Sequence, residues 1–252
     1  MLSTMAGVNS NNEMSSQYSV RGGSYDENSV YINGIEIYRP QLISSGQQEG
    51  LSIINPDMVD AVSFSTGGFS AEYGDKMSSV LDITYREPQS FEGSVSLSFM
   101  GGSLALGQST SRFSQLHGVR YKSNASLLSS METKGEYDPK YFDYQTFLTY
   151  KFSKRFKATF LGNIAINNYK FRPVNRSTNF GTSTDAKQFT VYFDGQEKDR
   201  FETYFGALSL NYKHSRSTDF SFLASGYLTN ELVAYDISGE YWLDQAGTTG
   251  GN

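Results

Sequence analysis

Few residues of this 252-residue chain combine a reactive type with the spacing that chemistry needs. Asp26, Glu27 and Asn28 offer oxygens that could ligate calcium. The alternating acids, central glycine and distal glutamate of an EF-hand loop do not follow them, so the triplet reads as an Asx-type turn before a strand. Gly67, Gly68 and Gly74 could cradle a phosphate, but neither G-x-x-x-x-G-K-[ST] nor G-x-G-x-x-G surrounds them. They read instead as positions of positive φ and close backbone approach. His117 and His214 are the two histidines, far apart, with no acid and nucleophile arranged beside either. G-x-S-x-G does not occur among the serines. Cysteine is absent, which excludes a disulfide framework and a thiolate metal site. The expectation is no catalytic residue, no metal, no cofactor and no enzyme.

The elements that would position any site are β. Aromatic residues make up 15% of the chain, with 18 Tyr and 18 Phe, beside 24 Gly and five Pro. That balance favours strands and turns over helices. The net charge of -5 gives no basic face, so no nucleic-acid partner is expected. The first twenty residues lack the basic start and apolar run of a signal peptide. No stretch approaches the roughly 18 apolar residues of a membrane-spanning helix.

Along the chain, residues 1–17 are polar and Asn/Ser-rich and read as a disordered or frayed N-terminus. "SVYINGIEIY" reads as a hairpin, Val30–Ile32 and Ile35–Ile37 around Asn33-Gly34. "INPDMVDAV" reads as a helical turn with Asn55 as N-cap and Pro56 at the first position. Strands at 61–65 and 79–85 follow, so 18–88 forms a small α/β unit. After Pro88 the period becomes two. Phe91–Phe99, Tyr144–Phe152, Phe156–Asn168, Tyr204–Tyr212 and Phe220–Leu228 alternate, and Val119–Leu127 does so more weakly. Phe147 and Leu161 break the pattern by standing on polar faces.

A soluble β-sandwich with one wet face would also alternate. Three features favour a membrane barrel. Several strands run 9–13 residues, beyond the usual mode of about 5–6 and suited to a tilted spanning strand. Arg120, Lys122, Lys151 and Lys157 share parity with the polar set, as expected where a lipid-facing cation costs roughly 2–4 kcal/mol. Connections alternate between tight turns (Ser153–Arg155, His214–Asp219) and long loops (129–142, 170–199 and after 230), with aromatics where strands meet loops.

Taken together, "VRGGSYDENSVYINGIEIYRP" and "INPDMVDAVSFSTGGFSAEYGDKMSSVLDITYRE" resemble the plug domain of TonB-dependent outer-membrane receptors. The likeness is to the Bacteroidetes type, whose full proteins carry a carboxypeptidase-regulatory-like domain ahead of the plug. "VYFDGQEKDRFETYFGALSLNYK" and "YDISGEYWLD" resemble the early barrel of that group. The resemblance implies a mainly β fold: the C-terminal part of a plug at 18–88, then at 89–252 the first seven or so antiparallel strands of a 22-stranded transmembrane barrel, an incomplete, open sheet. It also implies a fragment of a receptor, with the TonB box absent.

As function, the resemblance implies active import of a scarce small ligand across the outer membrane by TonB-coupled displacement of the plug. The partners implied for the full-length protein are the TonB–ExbB–ExbD energy-coupling complex and outer-membrane lipid. Arg21, Gly22 and Gly23, with Glu72 and Tyr73, are then expected at the plug–barrel contact or in gating. Ligand contacts are expected from Tyr38, Arg39 and Gln41 after the hairpin and from Tyr137, Tyr141 and Phe142, whose aromatic and polar mixture suits sugars or peptides. The alternative from another class is a soluble or surface β-rich binding or adhesion domain without transport. A passive porin fits less well, having no plug-like domain.

Overall fold

The structure is a computed structural model that describes residues 8–9, 18–38, 44–45, 48–49, 51–74, 77–123, 135–182 and 185–245. The chain divides into two units, one of residues 1–122, 141–167 and 201–230, the other of 123–140, 168–200 and 231–252.

In the first unit, the N-terminal strands are β1 (Val8–Asn9), β2 (Ser19–Val20), β3 (Asn28–Ile32), β4 (Ile35–Glu36), β5 (Ser44–Ser45), β6 (Gln48–Glu49), β7 (Val59–Ser65) and β8 (Ser79–Tyr85). Asn33 and Gly34 turn β3 into β4 with φ of 52° and 75°, both positive as a two-residue I′ hairpin requires. A four-stranded sheet runs β4-β3-β8-β7, with β3 parallel to β8 and buried along its whole length. A central strand covered on both faces is apolar almost throughout, which explains Val30, Tyr31 and Ile32 in succession.

The helical turn expected at Asn55 is present as three residues of 3₁₀ helix, Pro56–Met58, capped where the Asn55 side chain accepts from the Asp57 N–H at 3.1 Å. The described residues contain no α-helix, so the α/β unit expected from sequence is β with 3₁₀ turns. β-branched Val59 enters β7 at once, and the helix has no room to propagate. Gly67 and Gly68 have positive φ (132° and 64°), whereas Gly74 is not among the positive-φ residues.

Tyr73 lies against Tyr31, ring centroids 5.0 Å apart, and its hydroxyl donates to Asp82 Oδ2 at 2.8 Å. That hydrogen bond, helped by desolvation and the Asp82 charge, pushes the phenol from 10.0 up to about 12. A folded value above the unfolded one means a stabilising contribution complete below pH 10.0 and lost as pH rises through about 12. Alkaline unfolding should therefore steepen across that window in wild type and flatten in Tyr73→Phe. Identical slopes in the two proteins would remove the role assigned to the Asp82 bond.

The later strands are β9 (Glu92–Ser98), β10 (Gly101–Ser109), β11 (Phe113–Ser123), β12 (Gly135–Tyr137), β13 (Lys140–Lys151), β14 (Phe156–Pro173), β15 (Arg176–Thr182), β16 (Asp185–Asp194), β17 (Glu197–Lys213), β18 (Asp219–Tyr235) and β19 (Ser238–Gln245). Eight of these eleven form one sheet, in the order β18-β17-β14-β13-β11-β10-β9 with β12 paired to β14 off that path, where the sequence reading expected about seven strands in all. Alternation sets its two faces: in β13, Asp143, Gln145, Phe147 and Thr149 are buried while Phe142 and Tyr150 are exposed. β11 begins at Phe113, six residues ahead of the expected Val119; residues 124–134 lie outside the described set.

The stretches read from sequence as long loops carry strands in the second unit. There β15, β16 and β19 pair in the order β15-β16-β19, and β12 pairs with the end of β14, Tyr137 opposite Phe171. β15 and β19 are exposed at every position, so no buried face imposes a period that a sequence reading could detect.

Candidate functional site

The β4-β3-β8-β7 sheet and the segment before β7, called the plug after the resemblance above, pack on one face of the later sheet, called the wall, through one apolar cluster. Val30, Ile32, Ile53, Met58, Ile83 and Tyr85 from the plug join Leu116, Phe147, Leu161, Ala165, Phe205 and Ala207 from the wall. Phe147 and Leu161 are the two residues that break the wall's alternation. They do so because an inner face that meets a plug must be apolar where it touches it. The Phe147 ring stands edge-on to Tyr85, centroids 6.4 Å apart.

Beside this cluster lies a buried polar network. The Arg120 guanidinium on β11 donates through Nε to Asp143 Oδ1 on β13 at 2.8 Å, with side chains 9% and 0% exposed. Its other nitrogens donate to the main-chain oxygens of Ile54 and Ser52, each at 2.7 Å. Gln145 Nε2 donates to the oxygen of Ile53 between them, and also to Asp143 Oδ2 at 3.1 Å. Asn163 Nδ2 on β14 donates to the same Asp143 oxygen at 2.6 Å. Two wall side chains thus hold three consecutive plug carbonyls, and Asp143 orients both.

The plug answers with Tyr85, whose hydroxyl donates to Gln145 Oε1 at 2.8 Å and accepts the Asn55 N–H at 3.2 Å. Burial raises the Tyr85 phenol, chiefly by desolvation, so it stays a donor at any physiological pH. Next to it, Gly118 leaves the wall open: a Cβ there would collide with Asn55 Nδ2 and stand 2.8 Å from Met58 Sδ.

A second contact holds the segment that leaves the plug. Glu87 receives Lys151 at 3.2 Å and Lys157 at 3.4 Å, both from the inner face, beside a polar cavity of about 490 Å³ between Asp60, Thr84, Lys157 and Asn211. Arg120, Lys151 and Lys157 therefore stand on the face their parity assigned. Their partners could not be read from alternation, and Asp143 sits one residue past an expected loop.

The residues singled out from sequence lie elsewhere. Arg21 (φ 51°) and Gly22 (φ 81°) form the turn after β2, with the Gly23 N–H donating to the Val20 oxygen at 2.9 Å. A Cβ on Gly23 would collide with Ser78 Oγ, and the Arg21 guanidinium lies near Gly67 within the plug. Glu72 is exposed, and Tyr73 bonds inside the plug as described. Tyr38 is 74% exposed; Arg39 and Gln41 lie outside the described residues. Tyr137 is buried against Phe171, centroids 4.7 Å apart. Tyr141 is buried on the inner face and Phe142 is exposed on the outer.

The TonB-dependent Receptor Plug Domain family model matches residues 1–80. The matched stretch includes Ser52–Ile54, whose carbonyls the wall holds. No curated protein matches the chain in sequence. Among solved structures, the chain resembles the siderophore receptor PirA from Pseudomonas aeruginosa, at 13% identity and TM-score 0.44, over 94% of this chain and 46% of that one. It resembles a mutant of the ferric enterobactin receptor PfeA from the same organism at 12% and 0.48, over 95% and 45%. It also resembles a double mutant of the hemophore receptor HasR from Serratia marcescens, in complex with its hemophore and heme, at 13% and 0.39, over 94% and 42%. The chain spans less than half the length of these receptors.

Proposed function

We propose that the chain contributes the plug and early wall of an outer-membrane importer of the Bacteroidetes type. In this reading a scarce small ligand docks on the outer side, the TonB–ExbB–ExbD complex draws on the plug, and the ligand passes along the polar inner face of a closed barrel. The observation that carries it is the grip of Arg120 and Gln145 on three plug carbonyls. Main-chain oxygens can exchange such donors for water when the interface hydrates and recover them afterwards. A plug held this way can leave and return without refolding its side-chain packing.

A surface binding module remains the contrasting class. Against it stand the outer-face residues Leu104, Phe160, Ile164 and Leu208, each 38–40% exposed, which water would disfavour and acyl chains accept. Fractionation of native cells tests the reading. The protein should stay with carbonate-washed outer membranes, and deleting its gene in a strain already lacking TonB should add no growth defect on any limiting nutrient. Recovery in the soluble fraction, or an additive defect, would overturn it.

A further inference from the structure

Three tight turns close the wall along one edge: 110–112, 152–155 and 214–218. Backbone bonds tie them in a row, from the Lys151 N–H to the Arg112 oxygen at 2.7 Å and from the Lys213 N–H to the Arg155 oxygen at 2.8 Å. Their residues are Thr-Ser-Arg, Phe-Ser-Lys-Arg and His-Ser-Arg-Ser-Thr, four cations and no acid, with Asp219 as the first residue of β18 beyond the third. Arg112, Lys154, Arg155 and Arg216 are all exposed. Immediately inside this edge the outer face carries an unbroken chain of ring contacts. Phe113 meets Tyr150 at 6.4 Å, Tyr150 meets Phe152 at 4.7 Å and Phe152 meets Phe156 at 4.9 Å. Phe156 then meets Tyr212 at 6.5 Å, and His214 follows at 6.2 Å from both Tyr212 and Phe220.

An aromatic belt marks the depth where acyl chains give way to headgroups. Cations one step beyond it, free of acids in their own turns, stand at the depth of phosphate. We propose that the short-turn edge of the wall is a docking surface for anionic phospholipid, with Arg112, Lys154, Arg155 and Arg216 pairing with lipid phosphates below the Phe113–Phe220 belt. The inference rests on the membrane-barrel reading. Arginine forks suit bidentate phosphate contacts and lysine supplies a point charge, while zwitterionic headgroups cancel the field that draws these side chains.

The test compares phosphatidylglycerol with phosphatidylcholine, retained by the detergent-purified protein in native mass spectrometry and then reconstituted in vesicles of either composition. Wild type should keep phosphatidylglycerol preferentially, and replacement of each cation by glutamine should cut that preference about fivefold. Phe152→Ala in the belt should weaken retention of both lipids alike. A wild-type protein that inserts into vesicles but shows no preference, or a fourfold Gln variant that inserts and retains it, would overturn the docking surface and leave the barrel standing. A protein that does not insert at all overturns both.

Discussion

Arg120→Ala should release the plug from the wall. The substitution strands Asp143 as a fully buried charge without its cation, a change that typically costs about 3–5 kcal/mol, and it removes two of the three donors on the plug carbonyls. The expected result is a lower melting temperature in detergent together with proteolytic cleavage between Leu51 and Met58. Arg120→Met combined with Asp143→Asn separates the two consequences. It removes the unpaired charge and keeps an acceptor for Gln145 and Asn163, so much of the thermal stability should return. The introduced methionine cannot donate to Ser52 or Ile54, however, and the plug segment should remain open to protease. A single mutant with wild-type melting and protection would show that Arg120 carries neither load.

Gly118→Val should wedge the same interface from the wall side. A first side-chain carbon there already falls within 2.8 Å of two plug atoms, and overpacking of this kind typically costs about 1–3 kcal/mol. The protein has no cysteine, so Ile53→Cys, at a site in the same cluster with 2% exposure, can report directly. Thiol labelling should be slow in the wild-type background and fast beside Gly118→Val. Gly206→Ala is the control, since its new carbon would meet nothing nearer than 3.7 Å and should leave the introduced thiol protected. Equal labelling in all three backgrounds would contradict the close approach.

Much of this architecture was legible because a sheet with one face covered by a packed segment and the other exposed alternates. The Asn33-Gly34 hairpin, the strands ending at Ser65 and Tyr85, and the inner-face parity of Arg120, Lys151 and Lys157 all follow from local chemistry. The two apparent errors in the alternation were the most informative positions. Phe147 and Leu161 mark where the plug touches, a signal available in the sequence but readable only once a plug was supposed. The grip itself was not legible. It joins Ser52–Ile54 to Arg120 and Gln145 across more than sixty residues, through main-chain oxygens that carry no residue identity. Strands 176–182 and 238–245 escaped for the opposite reason, since neither has a buried side to impose a period.

The greasy patch on the wall also sets a direction. Phe147, Leu161, Ala165, Phe205 and Ala207 are dry only while Ile53, Met58 and Tyr85 lie over them. Any pull that lifts the plug wets both surfaces, with a penalty that grows in proportion to the area uncovered. The contact therefore behaves as a spring whose restoring force needs no further energy source. Pulling has to be powered; reseating does not.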